Sequence, residues 1–329
     1  MTIFAQLLPA QSSETELRIR LESTEGARVS GALVALVDSG ERVVVEGVSS
    51  EGGTRTLSAP PGTYRVRVRR IGFLPYLSAP VSLPHAGELV VPVESARVAL
   101  QSVIVTSRSG CGPIDRNDRT LSLIWDEIAK ALRTTQLNAR DFESIARYFV
   151  YRSRLSADAS VVSSDTTFFP VGRSRPFGVR NAAVLAVHGY VLGDERTGWV
   201  YYAPDETVLL SEQFAATHCF RAVRDNKRSG EVGIEFKPAS GRKMPEIAGT
   251  LWVDEGTAEL RELVFRFVNA GVLEDFRAGG NTRFRRVSSG WIVSEWSLRA
   301  PILIRDGPAN RPRIDGYSED GGGLTLRRP

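Results

Sequence analysis

The chain has 329 residues, 42% of them apolar and 24% charged, with a formal net charge of +4. That length exceeds what one core comfortably serves, so two domains are expected, and the balance excludes a globally disordered chain. The cations are almost all Arg, with Lys only at 130, 227, 237 and 243; they are scattered along strands rather than clustered in a stripe, so no nucleic-acid partner is expected.

No stretch reaches the ~20 apolar residues of a membrane-spanning helix. Residues 1–16 carry a short apolar run (Ile3-Phe4-Ala5, Leu7-Leu8), then Pro9-Ala10 and a polar exit. This is the pattern of the tail of a secretory signal, without its basic start; the alternative is a paired or frayed end of a cytosolic protein. Two cysteines, Cys111 and Cys219, are too few for a cysteine framework and have no metal-site spacing. In an oxidising compartment they are a candidate disulfide, closing a loop worth about 4–5 kcal/mol in the chain-entropy model. Two unrelated buried thiols are the other reading.

Residues 17–106 read as an all-β unit. Leu17, Ile19 and Leu21 alternate with Arg18, Arg20 and Glu22. Gly31 to Val37 is a nearly continuous apolar run, so a central strand covered on both faces. Arg42–Val48 and a short Arg55–Leu57 follow. Pro60-Pro61-Gly62 is a turn in which Gly62 can supply a positive φ. Tyr64, Val66 and Val68 then alternate with Arg65, Arg67 and Arg69, the period of a half-buried strand. Ile71-Gly72-Phe73 kinks the chain and adds an apolar anchor. Val81 and Leu83, residues 88–93 and residues 101–105 complete about seven strands, with turn signals roughly every ten residues, the spacing of a sandwich.

Gly31-Ala32-x-Val34-x-Leu36, Glu51-Gly52-Gly53, Ala59-Pro60-Pro61-Gly62-Thr63-Tyr64-x-Val66-x-Val68, Ile71-Gly72-Phe73 and Leu100-x-x-Val103-Ile104-Val105-Thr106 occur in an order that resembles the carboxypeptidase regulatory-like domain. The resemblance covers about residues 20–106. It implies the transthyretin-like seven-stranded sandwich found beside carboxypeptidases and at the N-terminus of TonB-dependent outer-membrane receptors. Members of that family often carry an aspartate and an aromatic where this chain has Gly52-Gly53 to Leu57, so that turn is less typical.

Residues 107–117 read as a linker with Gly and Pro punctuation. Asn117 or Asp118 can cap a helix in which Leu121, Ile124, Trp125, Ile128, Ala131 and Leu132 recur at three- and four-residue steps. From about 139 the chain reads as strands again: residues 142–155, 189–192, 198–202, 208–220, then hairpins through 231–236, 246–253, 259–267, 279–284 and 290–298. Phe168 through Phe177 reads as an aromatic loop. Each strand is expected beside the last, and the Gly-rich tail beyond Pro308 is expected to add at most one edge strand. Ile247-x-Gly249-Thr250-Leu251-Trp252-Val253-Asp254 with Leu260-x-x-Leu263 is similar to the repeat of lipoprotein-carrier (LolA-like) half-barrels over about residues 205–300. That resemblance implies an apolar ligand such as an acyl chain on the concave face.

No catalytic set is visible. The histidines are His85, His188 and His218, and none has a Glu or His at metal-ligand spacing. His218 beside Cys219 mimics a nucleophile–base pair, but adjacent strand residues point to opposite faces. No nucleophile elbow or phosphate loop is present, and Asp254-Glu255 reads as a solvated turn. Trp199, Tyr201, Tyr202, Trp252, Trp291 and Trp296 are candidates to line a ligand groove; core and cross-strand packing is the plainer reading.

The sequence thus predicts a mainly β protein: a transthyretin-like sandwich (17–106), a linker (107–117), then one helix and a large curved antiparallel sheet or open half-barrel (118–329). The expected function is non-enzymatic, without metal or cofactor. It is that of an exported protein of the periplasm or outer membrane, binding an acyl chain, lipoprotein or peptide on the C-terminal sheet. The alternative is a module that docks an envelope protein through the sandwich without a ligand cavity. A metal-dependent hydrolase is the least supported class.

Overall fold

The computed structural model describes residues 14–95, 110–111, 118–138, 146–170, 180–194, 198–276, 278–288, 290–305 and 312–326. Within it the first alternating stretch forms β1 (Thr15–Ser23), which buries Leu17, Ile19 and Leu21 and leaves Arg18 in water. β1 pairs antiparallel with β4 (Thr54–Ala59) and parallel with β8 (Glu88–Val93). A second sheet runs β3 (Val43–Val48), β2 (Leu33–Val37), β5 (Gly62–Arg69) and β6 (Tyr76–Leu77), with β7 (Val81–Leu83) also on β5. All five positions of β2 are buried, as a strand covered on both faces requires. The sheets share one aliphatic core that includes Ile19, Leu36, Leu57, Val66 and Val91. Each such side chain contributes roughly 1.5–3 kcal/mol by leaving water.

Two glycines of this unit behave differently. Gly72 takes a positive φ of 76° and sets the kink; Phe73 then packs on the core under the Arg70 guanidinium. Gly62, which can supply a positive φ, does not adopt one. Its reason is the Tyr64 ring, which lies 3.2 Å from where a Cβ would sit because the Tyr64 hydroxyl donates to the Pro60 carbonyl at 2.9 Å.

The chain divides into two compact units at Ala96 and Arg97. The strand expected at 101–105 lies outside the described residues, as do residues 1–13. Part of the expected linker is a strand, β9 (Gly110–Cys111).

The second unit is built on the predicted helix. α1 (Arg119–Asn138) buries Leu121, Ile124, Ile128, Ala131 and Leu132. Its sheet has ten strands in the order β11 (Val161–Pro170), β10 (Ala146–Leu155), β20 (Pro312–Leu326), β19 (Gly290–Arg305), β18 (Gly279–Val287), β17 (Leu260–Val268), β16 (Glu246–Asp254), β15 (Glu231–Pro238), β14 (His218–Val223) and β9. It is antiparallel and open, with β11 and β9 at its edges. α1 covers one face, here called inner: it packs along β19 and across β14–β17, and its Trp125 ring lies 6.0 Å from Phe220. Val232, Ile234, Phe236, Ile247, Leu251, Leu263 and Phe267 are almost wholly buried. A two-stranded ribbon of β12 (Val191–Asp194) and β13 (Gly198–Tyr201) stands apart from this sheet.

Three expectations are corrected. The Gly-rich tail forms β20, which is a central strand between β19 and β10, not an edge. That joint also breaks the simple meander. Phe168-Phe169-Pro170 belong to β11, because the β-branched and aromatic run from Val161 favours a strand. One helix was expected beyond the sandwich, but four shorter ones accompany it: α2 (Ala182–His188), α3 (Glu206–Leu209), α4 (Glu212–Thr217) and α5 (Val272–Asp275). The side chains of Asn181, Asp205 and Ser211 cap α2, α3 and α4 by accepting from Ala183, Val208 and Phe214 amides. Caps of this kind decide in favour of helix where an apolar run alone does not.

The large sheet pairs glycine with aromatic rings directly across strands: Gly233 with Trp252, Gly249 with Phe236, Gly280 with Phe265, Gly321 with Tyr151, Gly322 with Trp296, and Gly323 with Phe149. In each pair the ring occupies the space a Cβ would need. Glycine kinks let a sheet bend, and a ring laid over the bare backbone keeps it dry. This is why a triple glycine sits inside the sheet.

Candidate functional site

The face opposite α1 carries a groove of about 490 Å³. Its floor is one cross-strand row, Arg221, Glu235, Thr250 and Val264, each the direct partner of the next. Trp252 lies beside this row on the same face, flattened against Gly233. The Arg228 guanidinium sits 4.9 Å from the indole centroid, a cation–π arrangement. Arg228 also bonds Glu262 at 2.5 Å and Glu231 at 3.0 Å, so its charge is already matched. Arg221 is likewise bound to Glu235. Lys237 and Arg266 are both exposed along one flank of the row, Lys237 next to Glu235 in β15 and Arg266 next to Val264 in β17. The acid paired with Arg266 is Glu274, at 3.9 Å. Of the four cations in the lining, Arg221 and Arg228 are thus paired at close range, and Lys237 and Arg266 are the exposed cations that a ligand in the groove would meet. The arrangement can hold something extended and acidic, with an apolar strip from Trp252 and Val264.

Further along the same face runs a ladder of ion pairs: Arg283 with Glu262 and Glu295, and Arg299 with Glu319. Exposed pairs of this type contribute little to stability, but they fix which strand lies beside which. Glu319 also accepts from the Tyr151 hydroxyl at 3.1 Å; burial, reinforced by that carboxylate, pushes the phenol up to about 12.

A second polar cluster is enclosed. His218 has no exposed surface and stacks on Phe214 with centroids 4.1 Å apart. Its Nε2 lies 3.2 Å from the Ile247 carbonyl, and its Nδ1 lies 3.0 Å from the Thr217 hydroxyl. Burial pushes the imidazole down to about 4, so the ring is neutral at pH 7 and carries one N–H, with a backbone carbonyl beside each nitrogen to receive it: Ile247 at Nε2 and Phe214, 3.1 Å away, at Nδ1. Glu246 Oε2 lies 3.8 Å away. Burial holds this carboxyl above its usual range, against the pull of Arg242. Arg242 Nε donates to Glu246 Oε1 at 2.5 Å, and its Nη2 donates to the Ala186 carbonyl of α2 at 2.6 Å. The cluster therefore ties α2 and α4 to β14 and β16.

The aromatic candidates do not share one groove. Trp252 lines the outer groove. Trp296 is buried and donates from Nε1 to the Tyr148 hydroxyl at 3.0 Å. Trp291 is buried in β19. Trp199 lies in the ribbon opposite Gly193. Tyr201 packs 5.4 Å from Phe267, its phenol pushed up to about 12 by burial; Tyr202 accepts from Arg180 at 2.6 Å. His188 ends α2, and His85 lies between β7 and β8. Asp254 is tied into its turn by the amides of Gly256 and Thr257, and Glu255 pairs with Arg224. Among the described residues no group of three or more His, Cys, Asp or Glu side chains converges on one point. Cys219 is disulfide-bonded in the structure, and Cys111 is its direct register partner between β9 and β14. Arg228, Lys237, Arg266, Arg242 and Glu246 were not singled out from the sequence; the strand pairing is what gathers them.

No protein-family model matches this chain, and no curated protein matches it either. Among solved structures it is similar to the Bacillus anthracis TIE protein, at 9% identity and a TM-score of 0.22, over 93% of this chain and 48% of that one. The chain thus spans about half the length of that protein. A DUF3823 family protein from Parabacteroides merdae aligns at 10% identity and a TM-score of 0.20, over 68% of this chain and 92% of the other. BcpA, the major pilin subunit of Bacillus cereus, aligns at 7% identity and 0.22, over 94% and 95%. Likenesses this distant carry no argument about function.

Proposed function

We propose that this is a non-enzymatic, exported envelope protein whose large sheet binds an extended, acidic peptide segment in the groove over Trp252. The observation that carries the reading is the groove itself, a cross-strand row flanked on one side by an indole and on the other by Lys237 and Arg266. The row crosses four strands, about 14 Å at the usual strand spacing, the length of roughly four extended residues. The packing of α1 on the inner face supports a peptide over an acyl chain, which would need room there. The regulatory-like sandwich, export to an oxidising compartment, and a native Cys111–Cys219 bond that staples the start of the second unit to β14 belong to the same reading.

The test is isothermal titration of the full chain with a capped peptide of alternating Glu and Val, against its Lys/Val counterpart. Preference for the acidic peptide, weakened about tenfold by the Lys237→Glu, Arg266→Glu double variant, is expected. Equal binding of both peptides, or none, would overturn it.

A second reading places docking on the sandwich. The edge strand β3 leaves Val43 and Val44 43% and 46% exposed, an apolar strip suited to a partner strand. Pull-down from envelope extract with a Val44→Lys variant as control tests it.

A further inference from the structure

We infer that two copies of this chain join edge to edge through β11, in antiparallel register about a two-fold axis at Thr166. β11 is a sheet edge with one neighbour, β10, among the described residues. All of its positions from 161 to 169 are exposed, including Val161 at 68%, Val162 at 63% and Phe168 at 60%. Natural sheets protect such edges with Lys, with an early Pro or by keeping them short. β11 has no cation, its only proline is its last residue, and it is ten residues long. The opposite edge, β9, has two residues. The hairpin that presents β11 is pinned by its turn, where the Ser156 amide donates to the Ser160 carbonyl, the Ser160 amide to the Ser156 hydroxyl, and the Ala159 amide to the Ser156 carbonyl.

The occupant follows from the strand's own sequence. A two-fold axis normal to an antiparallel pair places one residue opposite itself. With Asp165 there, two carboxylates would face each other, which is destabilising. With Thr167 there, Asp165 would face the second copy's Phe169. With Ser164 there, Phe168 and Phe169 would overhang the hairpin turn. Thr166 on the axis avoids all three. Threonine then faces threonine, a favourable cross-strand pair. Asp165 faces the second copy's Thr167, and Phe168 and Phe169 face its Ser164 and Ser163. Its Val162 and Val161 fall on the diagonals, within reach of the rings. Val161 and Val162 at one end and Phe168 and Phe169 at the other thus cover each other twice, and the strand's only charge meets a hydroxyl.

Sedimentation of the full chain over a concentration series tests this, together with single-cysteine variants under mild oxidation. A monomer–dimer equilibrium is expected. Thr166→Cys should give a covalent dimer, since cysteines directly opposite meet disulfide geometry, whereas Ser164→Cys should not, because it faces position 168. Thr166→Lys, at an exposed position that does not threaten folding, should shift the equilibrium toward monomer by tenfold or more. A chain that stays monomeric throughout, a dimer that Thr166→Lys leaves intact, or Ser164→Cys cross-linking as readily as Thr166→Cys would each overturn the inference.

Discussion

The two units solve the same problem, keeping β-sheets dry on one face, in opposite ways. The sandwich does it with two sheets and a core whose buried side chains, among the described residues, are all aliphatic. The large unit has one main sheet beside a two-stranded ribbon, and must bend that sheet and cover it. It bends through glycine–aromatic pairs and is covered by helices. Every buried Asp, Glu, Lys and His side chain among the described residues lies in this second unit: Glu127 and Lys130 on α1, Asp205, His218 and Glu246. Glu127 and Asp126 each lie 2.8 Å from the Lys130 ammonium. A core made only of hydrocarbon is indifferent to pH. A helix layer anchored by buried charges is not, so pH sensitivity should be confined to the second unit.

The comparison breaks most sharply at Arg242. Replacing it with Met leaves the enclosed Glu246 without its partner, which should cost about 3–5 kcal/mol. Leu36→Ala should cost about 2–5 kcal/mol in the sandwich through the cavity it leaves. Urea unfolding followed by hydrogen exchange should place the two losses in different units, and only that of Arg242→Met should change with pH. The same exchange pattern in both variants would mean that the units unfold as one.

Next in size is His218. Its folded pKa of about 4 lies below the ordinary imidazole value. The unfolded chain therefore binds a proton through the window from pH 6.5 down to 4 that the folded chain refuses. Stability is full above that window and falls as pH drops through it, by about 3 kcal/mol from this group. Glu246 acts in the opposite sense: its raised pKa means that acid relieves the cost of its burial. His218→Gln should flatten the decline between pH 6.5 and 4, and Glu246→Gln should steepen it, read from urea midpoints. The smallest effect is expected on the outer ladder, where Arg283→Ala should change stability by less than about 1 kcal/mol and lose even that in high salt.

The sandwich was legible because its strands have one wet and one dry face: Leu17, Ile19 and Leu21, or Val66 and Val68, declare it by alternation. β20 was not, since Gly321, Gly322 and Gly323 have no side chains to alternate, and the rings that justify them come from β10 and β19. The caps Asn181, Asp205 and Ser211 were present to be read, but the apolar run at Val208–Leu210 outweighed them as a strand signal. Of the groove, Trp252 was visible as an aromatic on a strand. Lys237 and Arg266 were ordinary strand cations until pairing set them on the same face. The enclosed cluster was hidden for the same reason: Glu246 and His218 are 28 positions apart, and only the fold of β14 against β16 makes them neighbours.

The account turns on the inner face of the large sheet being packed core and the outer face being its working surface. Organic-solvent extraction and mass spectrometry of the protein purified from envelope in its native state test that most directly. The account predicts no acyl lipid at a stoichiometry approaching one per chain. An acyl chain recovered at one per chain, and lost from a variant that enlarges a side chain on the α1 face such as Ala131→Trp, would contradict it.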